Sequence, residues 1–511
     1  MRCPQTTTAF ALLLATAGLI STAIGAAVDP AASLLTCLQS IPGTPELVVP
    51  SSTPGAYANE KNGINIHRQR FPNVILYATG EEHVQGAVNC AVLNHAVPVA
   101  RSGGHSYEAM SSFDGKTSVI VDVSSLTTVR IDEQEHTAVV GAGIRLGNLY
   151  ASLGRQSDPS WTFPGGTCPT VGLGGHSAVG GYGMLARKYG IAADHVLEFR
   201  VVNANGTVLI ANKSQNPDLF WGLRGGGGGN LGIVTQLKLS LVSAPQNAIG
   251  GIGYRLDQLP QVVDLFQKWI PTMPAELTVQ LTLWADNPYP GGFGFNVHYL
   301  GTTDRLQQLL GEAGFFSIPT LGSGFQQVSV VQARAATAGV ASDTPDAAIN
   351  ALQNPTRLQA AWRTNRKLTA EYYHQNLDMT TLTRLTQVLR EIPAEATGVL
   401  VQFEAFGPQS ALWAVPTDAT PYPHRAGTLF SIQYGVQYPV DNTQTYPSVD
   451  AFYAKLKATL VPLASGLHYA GYIDSDFSPA SHYGGNWPRL VQVKRAYDPL
   501  NVFYNEMSPK P

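Results

Sequence analysis

Cysteine is scarce. The chain has four in 511 residues, at positions 3, 37, 90 and 168, too few for a disulfide framework to stand in for a hydrophobic core. Charge is scarce as well: 13% of residues are Asp, Glu, Lys or Arg, against roughly 25% in an average chain. The net charge of -3 leaves no basic excess, which excludes binding to nucleic acid through clustered phosphate contacts. Past the N-terminus no apolar run approaches the ~18 residues of a membrane span. The patterns G-x-x-x-x-G-K-[ST] and H-E-x-x-H do not occur. Their absence excludes a P-loop and the HExxH type of zinc protease, and no metal site is expected.

What the chain does have is 44% hydrophobic residues, 51 Gly and 34 Pro. That apolar content can build cores and excludes intrinsic disorder. At ~100–200 residues per domain, the length predicts two to four lobes.

Residues 1–27 read as a secretory signal, with Arg2 ahead of an apolar run that opens at Phe10 and small residues at 23–27. The mature chain is expected to start near residues 26–28 and to be secreted. Asn205-Gly206-Thr207 and Asn212-Lys213-Ser214 are then candidate glycosylation acceptors. Loss of the signal removes Cys3 and leaves three cysteines. A bridge between Cys37 and Cys90 would tie down the first segment, with Cys168 left over.

Short strands and helices alternate from 72 to 242. Strands are expected at 74–79, 98–101, 118–123, 137–143 and 235–241, helices at 81–96, 146–153 and 218–224, and a hairpin over 196–211 that turns at Asn203-Ala204-Asn205-Gly206. From 244 to 465 the strands are longer, at 277–285, 293–299, 398–406 and 428–437. Helices at 261–269, 304–315, 380–392 and 449–463 separate them, an α+β texture.

Three glycine clusters fall in the first lobe: Ser102-Gly103-Gly104-His105-Ser106, Gly165-Gly166-Thr167-Cys168, and Gly172-Leu173-Gly174-Gly175-His176-Ser177 continuing to Gly180-Gly181-Tyr182-Gly183. Glycine lets backbone approach a ligand, and free N–H groups form anion nests, so three such loops suit a diphosphate. Residues 141–147 miss G-x-G-x-x-G by one position, and 175–179 nearly match G-x-S-x-G. A secreted serine hydrolase, or a non-catalytic carbohydrate-binding protein, therefore stays open on these residues alone.

Together with Asp218-Leu219-Phe220-Trp221-Gly222-Leu223-Arg224-Gly225-Gly226, these loops resemble the berberine bridge enzyme-like family, FAD-linked oxidases of the vanillyl-alcohol oxidase superfamily. Within it the chain is most similar to the secreted glucooligosaccharide and chitooligosaccharide oxidases. The resemblance covers residues 35–242 and 468–504, and the middle matches loosely. It implies an α+β fold: a signal peptide (1–27), a two-part FAD-binding domain (28–243 and 466–511), and a substrate domain (244–465) built on a central antiparallel sheet.

The resemblance also implies FAD held by two covalent bonds, from His105 to the 8α-methyl and from Cys168 to carbon 6. Both side chains are nucleophiles. Further implied FAD contacts are Arg101, Ser102, Gly103, Gly104 and Ser106 on the first loop, and Gly166, Thr167, Val171 and Gly172 around the cysteine. They continue with Gly174, Gly175, His176, Gly181, Tyr182 and Gly183, with Gly232 and Val234 on the adenine side and Asn501 closing the site. Val171, three past the cysteine, implies access for oxygen.

Tyr469-Ala470-Gly471-Tyr472 matches the family's Tyr-x-x-Tyr segment, which implies Tyr472 as catalytic base and Tyr469 as the next candidate. A free tyrosine titrates at about 10, so a base at neutral pH needs assistance. Gln402-Phe403-Glu404 stands where the carbohydrate oxidases carry Gln-x-Asp. Residues two apart on a strand share a face, so Gln402 and Glu404 can both point into the cleft. Gln433, Tyr107 and Thr167 are expected to contact the sugar, and Trp284 and Tyr299 are candidates for stacking. The implied reaction oxidises the anomeric C1 hydroxyl of a reducing mono- or oligosaccharide to a lactone, with O2 reduced to H2O2. Allylic or benzylic alcohols, or a secondary metabolite, are the alternative substrates. The expected state is a monomer acting on a small molecule, with neither nucleic acid nor membrane as partner.

Overall fold

The computed structural model describes residues 29–285, 292–340, 342–440 and 444–511; the expected signal segment and Cys3 lie outside the described residues. Strands β1 (Glu46–Val48), β2 (Val74–Tyr77), β3 (Val97–Arg101) and β4 (Ser118–Asp122) form a sheet in the order β1-β2-β4-β3. β2 and β3 run parallel to β4. Parallel pairing needs a long crossover, and helix Glu81–Leu93 follows β2, with Val84, Ala87, Val88 and Ala91 buried.

β5 (Val129–Asp132) and β6 (Thr137–Gly141) come next, then the short β7 (Trp161–Thr162), β8 (Val196–Val202), β9 (Val208–Asn212), β10 (Ile233–Ser240) and β11 (Val242–Ser243). Five of these make an antiparallel sheet, β5-β6-β10-β8-β9, while β11 pairs with β7. The two larger sheets share a core that includes Leu76, Val121, Val140, Phe199, Val201 and Leu237. Near the C-terminus, helix Trp487–Tyr497 adds Leu490 and Val493 to that core.

The third sheet has seven strands: β12 (Asn247–Arg255), β13 (Leu277–Ala285), β14 (Gly292–Tyr299), β15 (Gly322–Val328), β16 (Asn365–Tyr373), β17 (Gly398–Ala405) and β18 (Phe430–Tyr438). Their order is β15-β12-β14-β13-β17-β18-β16, antiparallel throughout. One face puts Val279, Leu281, Val401, Phe403, Ile432 and Tyr434 into a second core. Helices Leu259–Trp269, Met379–Leu389 and Pro447–Leu460 contribute to that core from their own buried faces. The other face contributes polar side chains to a cavity shared with the glycine loops.

This is the α+β arrangement expected, with a central antiparallel sheet. Within that sheet, strands β12, β15 and β16 carry no clear sequence pattern, and the short β1, β5, β7 and β11 of the first lobe are likewise unmarked. Helices Val330–Thr337 and Pro345–Leu352 fall inside 244–465 yet bury Val331, Ala335, Ile349 and Leu352 in the first core. Cys37 and Cys90 are bridged, joining helix Pro30–Gln39 to Glu81–Leu93 across a Cα–Cα distance of 5.6 Å, and Cys168 is free.

Candidate active site

A cavity of about 910 Å³ separates the glycine loops from the polar face of the seven-stranded sheet, near the top of the ~300–1,000 Å³ range of ligand sites. On the loop side, Arg101 ends β3. Its buried guanidinium is spent on Asp122, the Glu60 carbonyl and the Tyr77 hydroxyl, so it locks strands together. The chain then leaves the sheet through Ser102-Gly103-Gly104. A Cβ on Gly103 would stand 2.2 Å from Gly172 N, so these two loops meet backbone to backbone only as glycine. The N–H groups of Gly103, Gly104, His105 and Ser106 donate to no protein acceptor among the described residues. Gly175 has open space where a Cβ would stand, and Ser111 in the same wall has a buried hydroxyl without a partner.

His105 Nε2 lies 2.9 Å from Thr170 Oγ1. Burial, reinforced by the Arg145 and Arg366 cations, pushes its imidazole down to about 3, so it is neutral at physiological pH. Arg145 is itself buried, and its guanidinium donates to the carbonyls of Gly103, Thr170, Pro355 and Thr356, holding both loops. Cys168 is surrounded by protein but open to the cavity. Burial pushes its thiol up, with Arg366 opposing. His176 Nε2 accepts from Gly166 N at 2.9 Å, and burial pushes this ring down to about 4, consistent with a neutral acceptor.

On the sheet side, the register sets Gln280 opposite Glu404, Thr282 opposite Gln402, and Gln402 opposite Gln433. Directly paired residues share a face, so five polar side chains form one patch. Glu404 Oε1 accepts from Gln280 Nε2 at 2.9 Å and from Gln402 Nε2 at 2.8 Å. Glu404 is 3% exposed. Burial pushes its carboxyl up to about 7, with the amide hydrogen bonds opposing.

Gln433 Nε2 donates to the Tyr107 hydroxyl at 2.6 Å. The Tyr107 ring stacks on Tyr472, with centroids 5.3 Å apart and planes 5° apart. Tyr469 meets Tyr472 edge-on, and its hydroxyl accepts from Gly181 N at 2.7 Å. Burial raises all three phenols, and Glu404 adds to the rise at Tyr472.

A family model described as "FAD binding domain" matches residues 72–212, and one described as "Berberine and berberine like" matches 468–508. The FAD-linked oxidoreductase pynB of Aspergillus niger is 30% identical over 97% of this chain and 95% of its own length. Among solved structures, Physcomitrella patens BBE-like 1 superposes with a TM-score of 0.83 at 27% identity, over 94% of this chain and 99% of that one. A chitooligosaccharide oxidase superposes at 0.81 and 26%, with the same coverage. The chain belongs to the berberine bridge enzyme-like family of FAD-linked oxidoreductases.

As a member of this family it is an FAD enzyme, and the cavity fits that cofactor. The free N–H nest at Gly103–Ser106 (residues 103–106) suits a diphosphate, Gly175 leaves room for a dinucleotide, and the orphan Ser111 hydroxyl awaits a partner. Of the FAD contacts expected in this berberine bridge enzyme-like chain, Ser102, Gly104, Ser106, Gly166, Thr167, Val171, Gly172, Gly174, Tyr182, Gly183 and Val234 line the cavity beside those described above.

Three expected contacts do not line it. Gly181 gives its N–H to Tyr469, and Gly232 abuts Val201 and Val202. Asn501 is absent from the lining and its Oδ1 is buried without a hydrogen-bond partner; Asp498 accepts from the N–H groups of Val502 and Phe503, and Asn505 reaches the cavity. Tyr299 packs on the second core, and the side chain of Trp284 is outside the described residues.

Sequence reasoning missed Gln280, Thr282, Arg366 and residues 227–230 in the lining. The strict alternation of Leu277-Thr278-Val279-Gln280-Leu281-Thr282-Leu283 was the available signal for the first two. Asn205 is exposed at the hairpin turn, whereas Asn212 Nδ2 donates to Glu198 at 2.9 Å.

Proposed function

We propose that this chain is a secreted, glycosylated oxidase that converts the anomeric C1 hydroxyl of reducing mono- or oligosaccharides to the lactone. The observation that carries the reading is the patch of Gln280, Thr282, Gln402, Glu404 and Gln433 beside the loops of His105 and Cys168. Five closely spaced hydrogen-bonding groups suit a polyhydroxylated ring better than an aryl alcohol. The chitooligosaccharide oxidase among the structural neighbours agrees with it.

Bound FAD supplies the hydride acceptor and dioxygen the final oxidant, giving hydrogen peroxide. His105 and Cys168 would attach the flavin: in the tautomer whose Nε2–H donates to Thr170 Oγ1, the neutral imidazole keeps a lone pair on Nδ1. Val171 beside Cys168 would leave oxygen access. Glu404, raised to about 7, has the basicity to take the substrate hydroxyl proton near neutral pH. Burial and Glu404 raise the phenol of Tyr472, the base expected from sequence; with the proton going to Glu404, Tyr472 would donate a hydrogen bond to the reacting oxygen. Tyr107, Thr167, Gln402 and Gln433 bind hydroxyls, and Tyr469 holds the loop at Gly181.

The test incubates the holoprotein with reducing oligosaccharides, their borohydride-reduced alditols, and benzylic and allylic alcohols. Peroxide with aldonic acid from the reducing sugars alone is expected. Peroxide from the aryl or allylic alcohols but not the sugars overturns the reading.

A further inference from the structure

Glu108 directly follows Tyr107 and is 3% exposed. Tyr107 lines the cavity and Glu108 does not, so this carboxylate acts outside the space that a ligand fills. Both of its oxygens are engaged. Oε2 accepts from Ser475 Oγ at 3.0 Å and pairs with Arg68 Nε at 2.8 Å, while Oε1 faces Lys367 Nζ at 3.6 Å.

Two of these three partners lead to the segment of Tyr472. Ser475 stands three residues past that tyrosine, and Lys367, on β16, pairs with the buried Asp474 at 2.9 Å. The segment presents Tyr469, Tyr472 and Ile473 to the cavity. Over 470–472 it is a single 3-10 turn with Gly471 at its centre. So short a turn fixes little by itself, and the side-chain anchors on either side of it are Tyr469, on Gly181 N, and the pair Asp474 and Ser475. Glu108 therefore joins the loop of Tyr107 to the segment of Tyr472 from behind the two stacked rings.

Charge balance does not depend on Glu108. Without it Arg68 keeps Glu506 at 3.1 Å, and Lys367 keeps Asp474 and, at 3.2 Å, Asp476. No cation is left buried and unpaired, the condition that makes a broken buried pair costly. What goes is the tie between the two tyrosine segments.

We propose that Glu108 is a positioning residue for the reaction: it holds the loop of Tyr107 against the segment of Tyr472 and so fixes where the Tyr472 hydroxyl meets the reacting oxygen. This rests on the role given to Tyr472 above and adds no chemical step.

Two measurements test it. With holoenzyme and cellobiose, peroxide release should show kcat in E108A lower by about ten- to a hundredfold, the scale of a small misplacement, with KM within about threefold. E108D should recover part of the loss. In a Y472F background, E108A should lower kcat by less than about twofold further, because the residue acts through that hydroxyl. In hydrogen–deuterium exchange, the peptide over 469–476 should exchange about tenfold faster in E108A, with helix Met379–Leu389 unchanged. E108Q, which keeps the shape, decides both arms if E108A does not accumulate. A kcat loss that persists in full in Y472F, a wild-type kcat in E108A, or exchange over 469–476 unmoved by the substitution overturns this inference alone. Y472F as active as the wild type overturns the role of Tyr472 and this inference with it. No peroxide from cellobiose with the wild type counts against the sugar reading, and the exchange comparison then decides the tie.

Discussion

Gln433 on β18 donates to the hydroxyl of Tyr107 at 2.6 Å, and that bond fastens the seven-stranded sheet to the loop that carries His105. Tyr107 in turn stacks on Tyr472 from the C-terminal segment. Three stretches far apart in sequence thus share one wall of the cavity, and the wall depends on a polar contact between two separately cored units.

Breaking that contact from one side should cost more than removing both partners. In Q433L the Tyr107 hydroxyl loses its partner, a cost of about 1–3 kcal/mol, whereas Y107F with Q433L leaves nothing unsatisfied. Urea unfolding of the two single variants and the double should show a double-variant loss smaller than the sum. Strict additivity would mean the bond carries no coupling.

With Glu404 as the proposed base, its raised carboxyl should set the pH dependence of turnover. A base titrating at about 7 is lost below that pH, so kcat/KM should rise with pH through an acid limb near 7 and level off above it. E404Q should lower kcat by about a hundredfold or more and abolish the limb. A limb near the ordinary carboxylate range, or one that persists in E404Q, assigns the proton elsewhere.

The same residue shapes stability, with a definite sign. Glu404 is raised to about 7 in the folded protein, against about 4.3 in an unfolded chain. The stability it lends as a neutral acid is whole below about pH 4, falls as pH rises to about 7, and is constant beyond. The loss is on the order of 3 kcal/mol. E404Q has no such titration, so its melting temperature should gain on the wild type between pH 4.5 and 7.5, measured by differential scanning calorimetry. A gain that shrinks with rising pH contradicts the assignment.

Much of this was legible in the sequence, and the misses have physical causes. The glycine loops could be read because a backbone contact such as Gly103 on Gly172 admits no other residue. The four strands read in the middle segment, β13, β14, β17 and β18, alternate cleanly between a core face and a polar face. β12 was hidden by three glycines in Asn247–Arg255, and β15 by its exposed, polar edge position. β16 was hidden because polar and charged residues interrupt its apolar alternation, among them Lys367, which pairs with Asp474, and Glu371, which accepts from Tyr434. Arg366, in that run, belongs to no motif. Only the pairing of β16 with β18 brings it to the cavity.

The proposed attachment of the flavin through His105 and Cys168 can be tested one bond at a time. C168S should keep flavin with the acid-precipitated protein through His105 but with a changed absorption spectrum, and H105A with C168S should release it to the supernatant. Thiol titration of denatured, unreduced holoprotein should find Cys168 blocked, since Cys37 and Cys90 are already bridged. Flavin wholly released from the wild type, or a reactive Cys168, contradicts the double linkage.

The most direct test of the account is anaerobic mixing of the holoprotein with a reducing oligosaccharide while the flavin absorbance is followed. The account predicts bleaching within the mixing experiment, recovery when air is admitted, one peroxide per aldonic acid formed, and loss of bleaching in E404Q. A flavin band that stays unchanged with every reducing sugar, yet bleaches with an aryl or allylic alcohol, would contradict it.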